Sequence, residues 1–266
     1  MVEVIHLSRG KLAAFQACQR RFFLRYQQRL AWPAPPLDPA TAAARQQGAQ
    51  FHQLLQRHFL QLPIEQDLVA EGKVADWWQI FQRQGPILPS RGRQNDGRHL
   101  VELTLTVPVG DCLLTGRFDL LYLQPGRGHI FDWKTERQPR PAAALREDLQ
   151  TRLYLALLYQ GSDALGVNLA ADQVQLTYWY VQQPAAAVTF TYSETWHAEN
   201  WAYLTDLAAA VTAAQQADQW PLTDNWDECR RCAYAAYCGR ESASQVEPDW
   251  DIEPDEERPE IPLLPA

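Results

Sequence analysis

The residues of this chain that could do chemistry fall in a few short stretches. In Gly116-Arg117-Phe118-Asp119-Leu120 an acid interrupts an otherwise apolar segment, and in Ile130-Phe131-Asp132-Trp133-Lys134 an acid and a lysine stand two residues apart. In a strand, a spacing of two puts both side chains on one face. If the two segments pair, Asp119 and Asp132 converge on a divalent cation with Lys134 alongside. Two carboxylates offer hard oxygen ligands to Mg2+ or Mn2+, and an ammonium stabilises charge that develops on a phosphate, which together suit phosphodiester hydrolysis. By itself Asp-x-Lys more often marks a structural ion pair on a sheet face. The context is more specific, because Gln150 and Tyr154 follow at i, i+4 spacing, one above the other on one helix face.

The cysteines form a second group. Cys229, Cys232 and Cys238 supply three thiolates within ten residues, too few to close a site. A fourth would come from Cys18 or Cys112; Cys112 opens a core strand, which leaves Cys18, on the first helix, better placed. In a reducing compartment such a cluster reads as metal ligands before disulfides. Four thiolates suit an iron–sulfur cluster or a tetrahedral zinc ion, and spacing does not separate the two. Either would close a long loop from the first helix to the C-terminal segment, a structural role.

The elements that must carry these groups can be read from periodicity. Ser8 caps a helix expected to run to about Gln28, and a Pro-rich break spans Pro33 to Pro39; helices are expected over Thr41–Leu60 and Glu65–Gln84. From His99 the pattern turns to alternation, giving strands 99–109, 112–123 and 129–134, then a helix from Pro141 to Gln160. Strands near 173–182 and 187–192 and a helix over 194–217 complete a β-β-β-α-β-β-α order.

The formal charge of −8 sits in residues 241–266, which hold nine acids and one base, so residues 1–240 are formally neutral. Arg20, Arg21, Arg25 and Arg29, with Arg91, Arg93 and Arg98 in a loop, are available for phosphates or are simply solvated. An apolar share of 46% and ten tryptophans point to a packed core, while the acidic, Pro-containing tail has too little apolar content to pack. No apolar run is long enough to span a bilayer and the N-terminus lacks signal-peptide sections, so a cytoplasmic protein is expected.

Taken together, Gly116-x-x-Asp119, Asp132-x-Lys134-Thr135 and Gln150-x-x-x-Tyr154 resemble the RecB-like branch of the PD-(D/E)xK nucleases, with Phe118 where the superfamily name has proline. Cys18-x-Arg20-x-Phe22 and Cys229-x2-Cys232-x5-Cys238 resemble its iron–sulfur members, among them CRISPR-associated RecB-like exonucleases and the AddB nuclease domain. The resemblance spans residues 5–240. It implies an α/β (α+β) fold with a restriction-endonuclease-like core, a mixed central sheet flanked by helices. It also implies a divalent-metal-dependent exonuclease on single-stranded or frayed DNA ends in repair, recombination or CRISPR adaptation, with helicase or CRISPR-associated partners. By the same resemblance His52, which follows Gly48 on a helix, binds Mg2+ or Mn2+ with Asp119, Asp132 and the backbone carbonyl of Trp133. Lys134 assists the water, Gln150 and Tyr154 position the substrate strand, and Cys18, Cys229, Cys232 and Cys238 hold a [4Fe–4S] cluster in preference to zinc. The family often has an acid where Glu102 stands, but the residue itself reads as an exposed strand carboxylate. The expected organisation is an N-terminal helical region contributing Cys18 and His52 (1–98), the nuclease core (99–220), an iron–sulfur segment (221–240) and an acidic disordered tail (241–266). The alternative is a catalytically inactive DNA-end-binding or scaffold module of a nuclease–helicase complex; such proteins usually lose the Asp or the Lys, and both are present here.

Overall fold

A short strand that periodicity did not reveal, β1 (Ile5–Leu7), opens a mixed sheet with β2 (Arg98–Val109), β3 (Cys112–Gln124), β4 (Arg127–Lys134), β5 (Val174–Tyr180) and β6 (Val188–Thr191). The order is β1-β3-β4-β5-β6, with β2 also on β3. The β4–β5 pair is parallel and β2–β3, β3–β4 and β5–β6 are antiparallel. Residues 4–30, 38–64, 69–88, 97–230 and 232–240 are described by this computed structural model. The Pro-rich segment 31–37, the start of the expected third helix at 65–68, Arg91, Arg93 and the acidic tail from 241 lie outside the described residues.

The helices are α1 (Arg9–Ala17), α2 (Gln19–Phe22), α3 (Pro39–Phe59), α4 (Lys73–Gln84), α5 (Ala142–Glu147), α6 (Leu149–Gly161), α7 (Glu194–Ala217) and α8 (Trp226–Arg230). Two expected helices are broken, each at a residue that favours a cap over a helix interior or needs to turn. The first is interrupted at Cys18, which is extended (φ −164°, ψ 115°), and resumes as α2 and a π-helical turn over Phe23–Gln27. The second is interrupted at Asp148, also extended, whose carboxylate accepts the Gln150 amide and so starts α6 afresh. An Asp N-cap of this kind contributes about 1 kcal/mol. By Cα proximity the chain divides into two compact units, residues 1–6 with 38–212 and residues 7–37 with 213–266.

In the first unit, α3 and α4 cover one face of the sheet. Phe51, Leu55 and Phe59 of α3 and Trp77, Trp78 and Phe81 of α4 pack with Leu120, Tyr122, Phe131, Trp133 and Trp179, and Phe59 stacks nearly parallel on Trp133 at 5.8 Å. Helix α6 takes the other face, where a Cβ on Gly116 would lie 2.7 Å from Leu157 and one on Gly161 would lie 2.8 Å from Leu105.

These contacts expose an irregularity in β2 and β3. On β3, Gly116 and Phe118 meet Tyr154 of α6, yet Leu120 and Tyr122, of the same parity, lie in the α3–α4 core. On β2, Val101 packs on the α3–α4 core while Leu105, four residues on, packs on α6. A regular strand keeps residues of one parity on one face, so both strands change face between these points. The register is unbroken across the change, Val101 opposite Leu120 and Leu103 opposite Phe118. The residues at the crossing are therefore Glu102 and Asp119, and Glu102 carries a left-handed φ of 50°. For a residue other than glycine that conformation costs on the order of 1 kcal/mol or more.

In the second unit the elements are short. Phe22 and Phe23 stack on Trp220 at 5.8 and 5.1 Å, the Arg20 amide donates to the Pro221 carbonyl, and the Tyr234 hydroxyl donates to the Leu30 carbonyl.

Candidate functional site

The β3–β4 ladder runs from Gln124 opposite Arg127 to Leu120 opposite Phe131 and then stops. The next pair would be Asp119 and Asp132, so the two predicted carboxylates stand where the strands part. Asp119 compensates for the lost ladder: its Oδ2 accepts the Trp133 amide at 2.8 Å. The Lys134 carbonyl accepts the Val181 amide beside β5. Because successive residues of a strand turn their main-chain groups to opposite edges, the Trp133 carbonyl faces the Asp119 edge.

His52 reaches this point from α3. Asp38 caps that helix, accepting the Ala40 and Thr41 amides at 3.0 Å, with Pro39 at its first position. Gly48 lies one turn before His52 on the same face, and a Cβ there would stand 3.1 Å from Thr135 Oγ1. The missing side chain lets α3 approach the end of β4 closely. His52 Nδ1 lies 3.5 Å from Asp119 Oδ2, and 34% of its side-chain surface stays open to solvent. Burial disfavours the imidazolium, but Asp119, with Asp132 behind it, outweighs burial and raises the pKa to about 9. Asp119 is held down in turn: burial raises it, while His52 and the Trp133 amide more than reverse that.

Asp132, Lys134 and Gln150 form a closed triangle. The Lys134 ammonium is ion-paired with Asp132 Oδ1 at 2.8 Å and donates to Gln150 Oε1 at 3.2 Å, and Gln150 Nε2 donates to Asp132 Oδ2 at 2.6 Å. The restart of α6 at Asp148 puts Gln150 in the first helical turn, facing β4. Burial opposes the charge on Lys134, but Asp132 beside it raises the pKa well above the ordinary lysine value, so the side chain is an ammonium and not a base. Tyr154 lies elsewhere: it is buried, its ring meets Phe118 edge-on at 5.1 Å, and its hydroxyl donates to the Arg117 carbonyl at 2.7 Å. In this arrangement Tyr154 braces β3 from beneath.

One residue came closer to the site than its sequence context suggested. Glu102 offers a carboxylate oxygen within 4.8 Å of ligand atoms on His52 and Asp119, and its Oε2 lies 3.0 Å from Arg117 Nε. The signal was available in the hairpin: the Gly110-Asp111 turn sets Val109 opposite Cys112, and counting back brings Glu102 opposite Asp119. An imidazole with carboxylate oxygens is a donor set that fits Mn2+ or Mg2+.

Cys18, Cys229, Cys232 and Cys238 all line one small cavity of the second unit, with Arg21, Glu228 and Tyr234. The break at Cys18 is what turns its side chain out of the α1 pattern. Cys229, Cys232 and Cys238 are wound together by turns in which the Cys232 amide donates to the Cys229 carbonyl and the Cys238 amide to the Tyr234 carbonyl. Burial pushes the Cys232 and Cys238 thiols up, with the neighbouring cysteines adding to it; binding a cation would displace those protons. Arg240 Nη1 donates to Cys229 Sγ at 3.0 Å with its guanidinium over Trp226. Four sulfurs around one cavity fit an iron–sulfur cluster or zinc. Cys112 is buried in the first unit, its Sγ 3.3 Å from Thr212 Oγ1.

A family model described as the PD-(D/E)XK nuclease superfamily matches residues 6–239. The chain belongs to that superfamily. The PD-(D/E)XK assignment agrees with the mixed sheet flanked by helices and with acids and lysine gathered at a strand end. Among solved structures, a candidate exonuclease from Eubacterium rectale is 8% identical and aligns over 82% of this chain and 83% of its own at a TM-score of 0.50, a likeness of fold alone. SSO0001 aligns over 90% of this chain and 88% of its own, with 14% identity and a TM-score of 0.45. No curated protein matches. Among the described residues no helix is long and apolar enough to cross a membrane.

Proposed function

We propose that this chain is a divalent-metal-dependent DNA nuclease, an exonuclease on single-stranded or frayed ends, of the RecB-like iron–sulfur branch, working in repair, recombination or CRISPR adaptation beside helicase or CRISPR-associated partners. The observation that carries this reading is the gathering of His52, Asp119, Asp132, Lys134 and Gln150 at the parting of β3 and β4. His52, Asp119, Asp132 and the Trp133 carbonyl would hold Mg2+ or Mn2+, which supplies a polarised phosphate and a more acidic water. His52 must give up its proton to ligate. Lys134, fixed as an ammonium, stabilises negative charge on the phosphate, and Gln150 keeps Lys134 and Asp132 in register. Tyr154 acts through Arg117 and β3, not by touching the strand being cut. Cys18, Cys229, Cys232 and Cys238 would hold a [4Fe–4S] cluster that fastens the second unit.

The test is degradation of single-stranded DNA in Mg2+ or Mn2+ by the wild type and by Lys134→Ala. Activity is expected only with metal and only in the wild type, and equal activity in both proteins overturns the assignment. An anaerobic preparation is expected to be brown and to lose colour in Cys232→Ala; a colourless, zinc-containing wild type overturns the cluster.

A further inference from the structure

We propose that Glu102 is a further ligand of the divalent cation, joining His52 and Asp119. The inference rests on the metal-dependent reading above and adds a residue to it.

Two features of the chain bring Glu102 to this point. The hairpin register, with Val101 opposite Leu120 and Leu103 opposite Phe118, sets it across from Asp119. The change of face in both strands then takes the pair out of the regular ladder, and the two side chains meet His52 with ligand atoms within 4.8 Å of one another. Asp132 stands beside that group, its Oδ1 paired with the Lys134 ammonium and its Oδ2 accepting from Gln150. Charge points the same way. Lys134 and Arg117 offset part of the charge of Asp119 and Asp132. Glu102 adds a third carboxylate, and ligand charge sets much of the affinity of a hard cation. Arg117 Nε, 3.0 Å from Oε2, aims the carboxylate, a positioning role for a residue two places from Asp119.

The experiment measures Mn2+ binding to the full chain by calorimetry and by the electron paramagnetic resonance signal of free Mn2+. The variants are Glu102→Gln, Glu102→Gly and Arg117→Gln. Affinity is expected to fall about tenfold or more in both Glu102 variants and to hold or rise in Arg117→Gln. Glycine accepts the φ of 50° at this position, so Glu102→Gly should melt no lower than the wild type while binding Mn2+ more weakly, a combination that a purely structural Glu102–Arg117 pair would not give. Wild-type affinity in both Glu102 variants overturns the proposal. A wild type that binds no Mn2+ overturns the metal-dependent reading itself, and the proposal with it.

Discussion

The two units solve opposite problems. The first holds its site with its fold: His52, Asp119, Asp132 and Gln150 come from two helices and two strands, α3 and the strands fixed by a large aromatic core and α6 packed on the opposite face of the sheet. The second has short elements, and its four cysteines line one cavity; in the reading proposed above, a metal held there would fasten the fold. Charge divides the same way. Through residue 240 the second unit carries nine Arg and Lys against four acids, whereas in the first unit acids outnumber bases. The neutrality of residues 1–240 is thus an average, and attraction for phosphate is concentrated in the second unit.

Substitutions confined to one unit test this division. Asp119→Asn should lower metal-dependent DNA degradation by about 10²–10³-fold and leave the metal content of the cysteine site unchanged by elemental analysis; a parallel loss of that metal would mean that the sites are not separable. Cys232→Ser should cost the second unit several kcal/mol, the scale on which bound metal stabilises small units. Limited proteolysis should then cut within residues 7–30 and 213–240 and spare the β-sheet.

The third prediction is pH-dependent and lies in the sheet. His129 is buried, with Nε2 2.7 Å from Thr177 Oγ1 and Nδ1 facing Arg127. Burial, then the Arg127 charge, pushes its pKa down from 6.5 to about 4. The unfolded chain therefore binds this proton first as the pH falls. Stability from neutral His129 is complete above pH 6.5 and is lost toward pH 4, by up to about 3 kcal/mol. His129→Gln should flatten the melting temperature over that window; an unchanged slope would assign the acid sensitivity to other groups. The smallest effect is expected at Gly116→Ala, whose Cβ would stand 2.7 Å from Leu157. Overpacking of this kind costs about 1–3 kcal/mol, read as a lower denaturant midpoint with the cysteine site intact.

Much of the sheet was legible because alternation and turn residues are local signals. The expected strands 99–109 and 112–123 fall within a residue of β2 and β3 at each end. The breaks at Cys18 and Asp148 were not read because helical periodicity continues through both, although Asp148 is a local cap for the helix that restarts there. Of the site, Asp119 and Asp132 follow from pairing and Gln150 from helix phase, which are also local. Tyr154 shares its helix face with Gln150, but one turn further along it meets β3 from below. Glu102 was read as exposed because alternation assumes a strand that keeps its faces, and β2 does not.

The hydrogen bond from the Trp133 amide to Asp119 has a bearing on how such a protein could fall silent. Exchanging Asp119 for an apolar residue would remove a ligand of the proposed metal site and also open the seam between β3 and β4, leaving a buried amide unanswered. Lys134 bears no main-chain partner of that sort on its side chain. A protein meant to stay intact would do best to keep this aspartate, because its loss breaks a main-chain contact as well as the site.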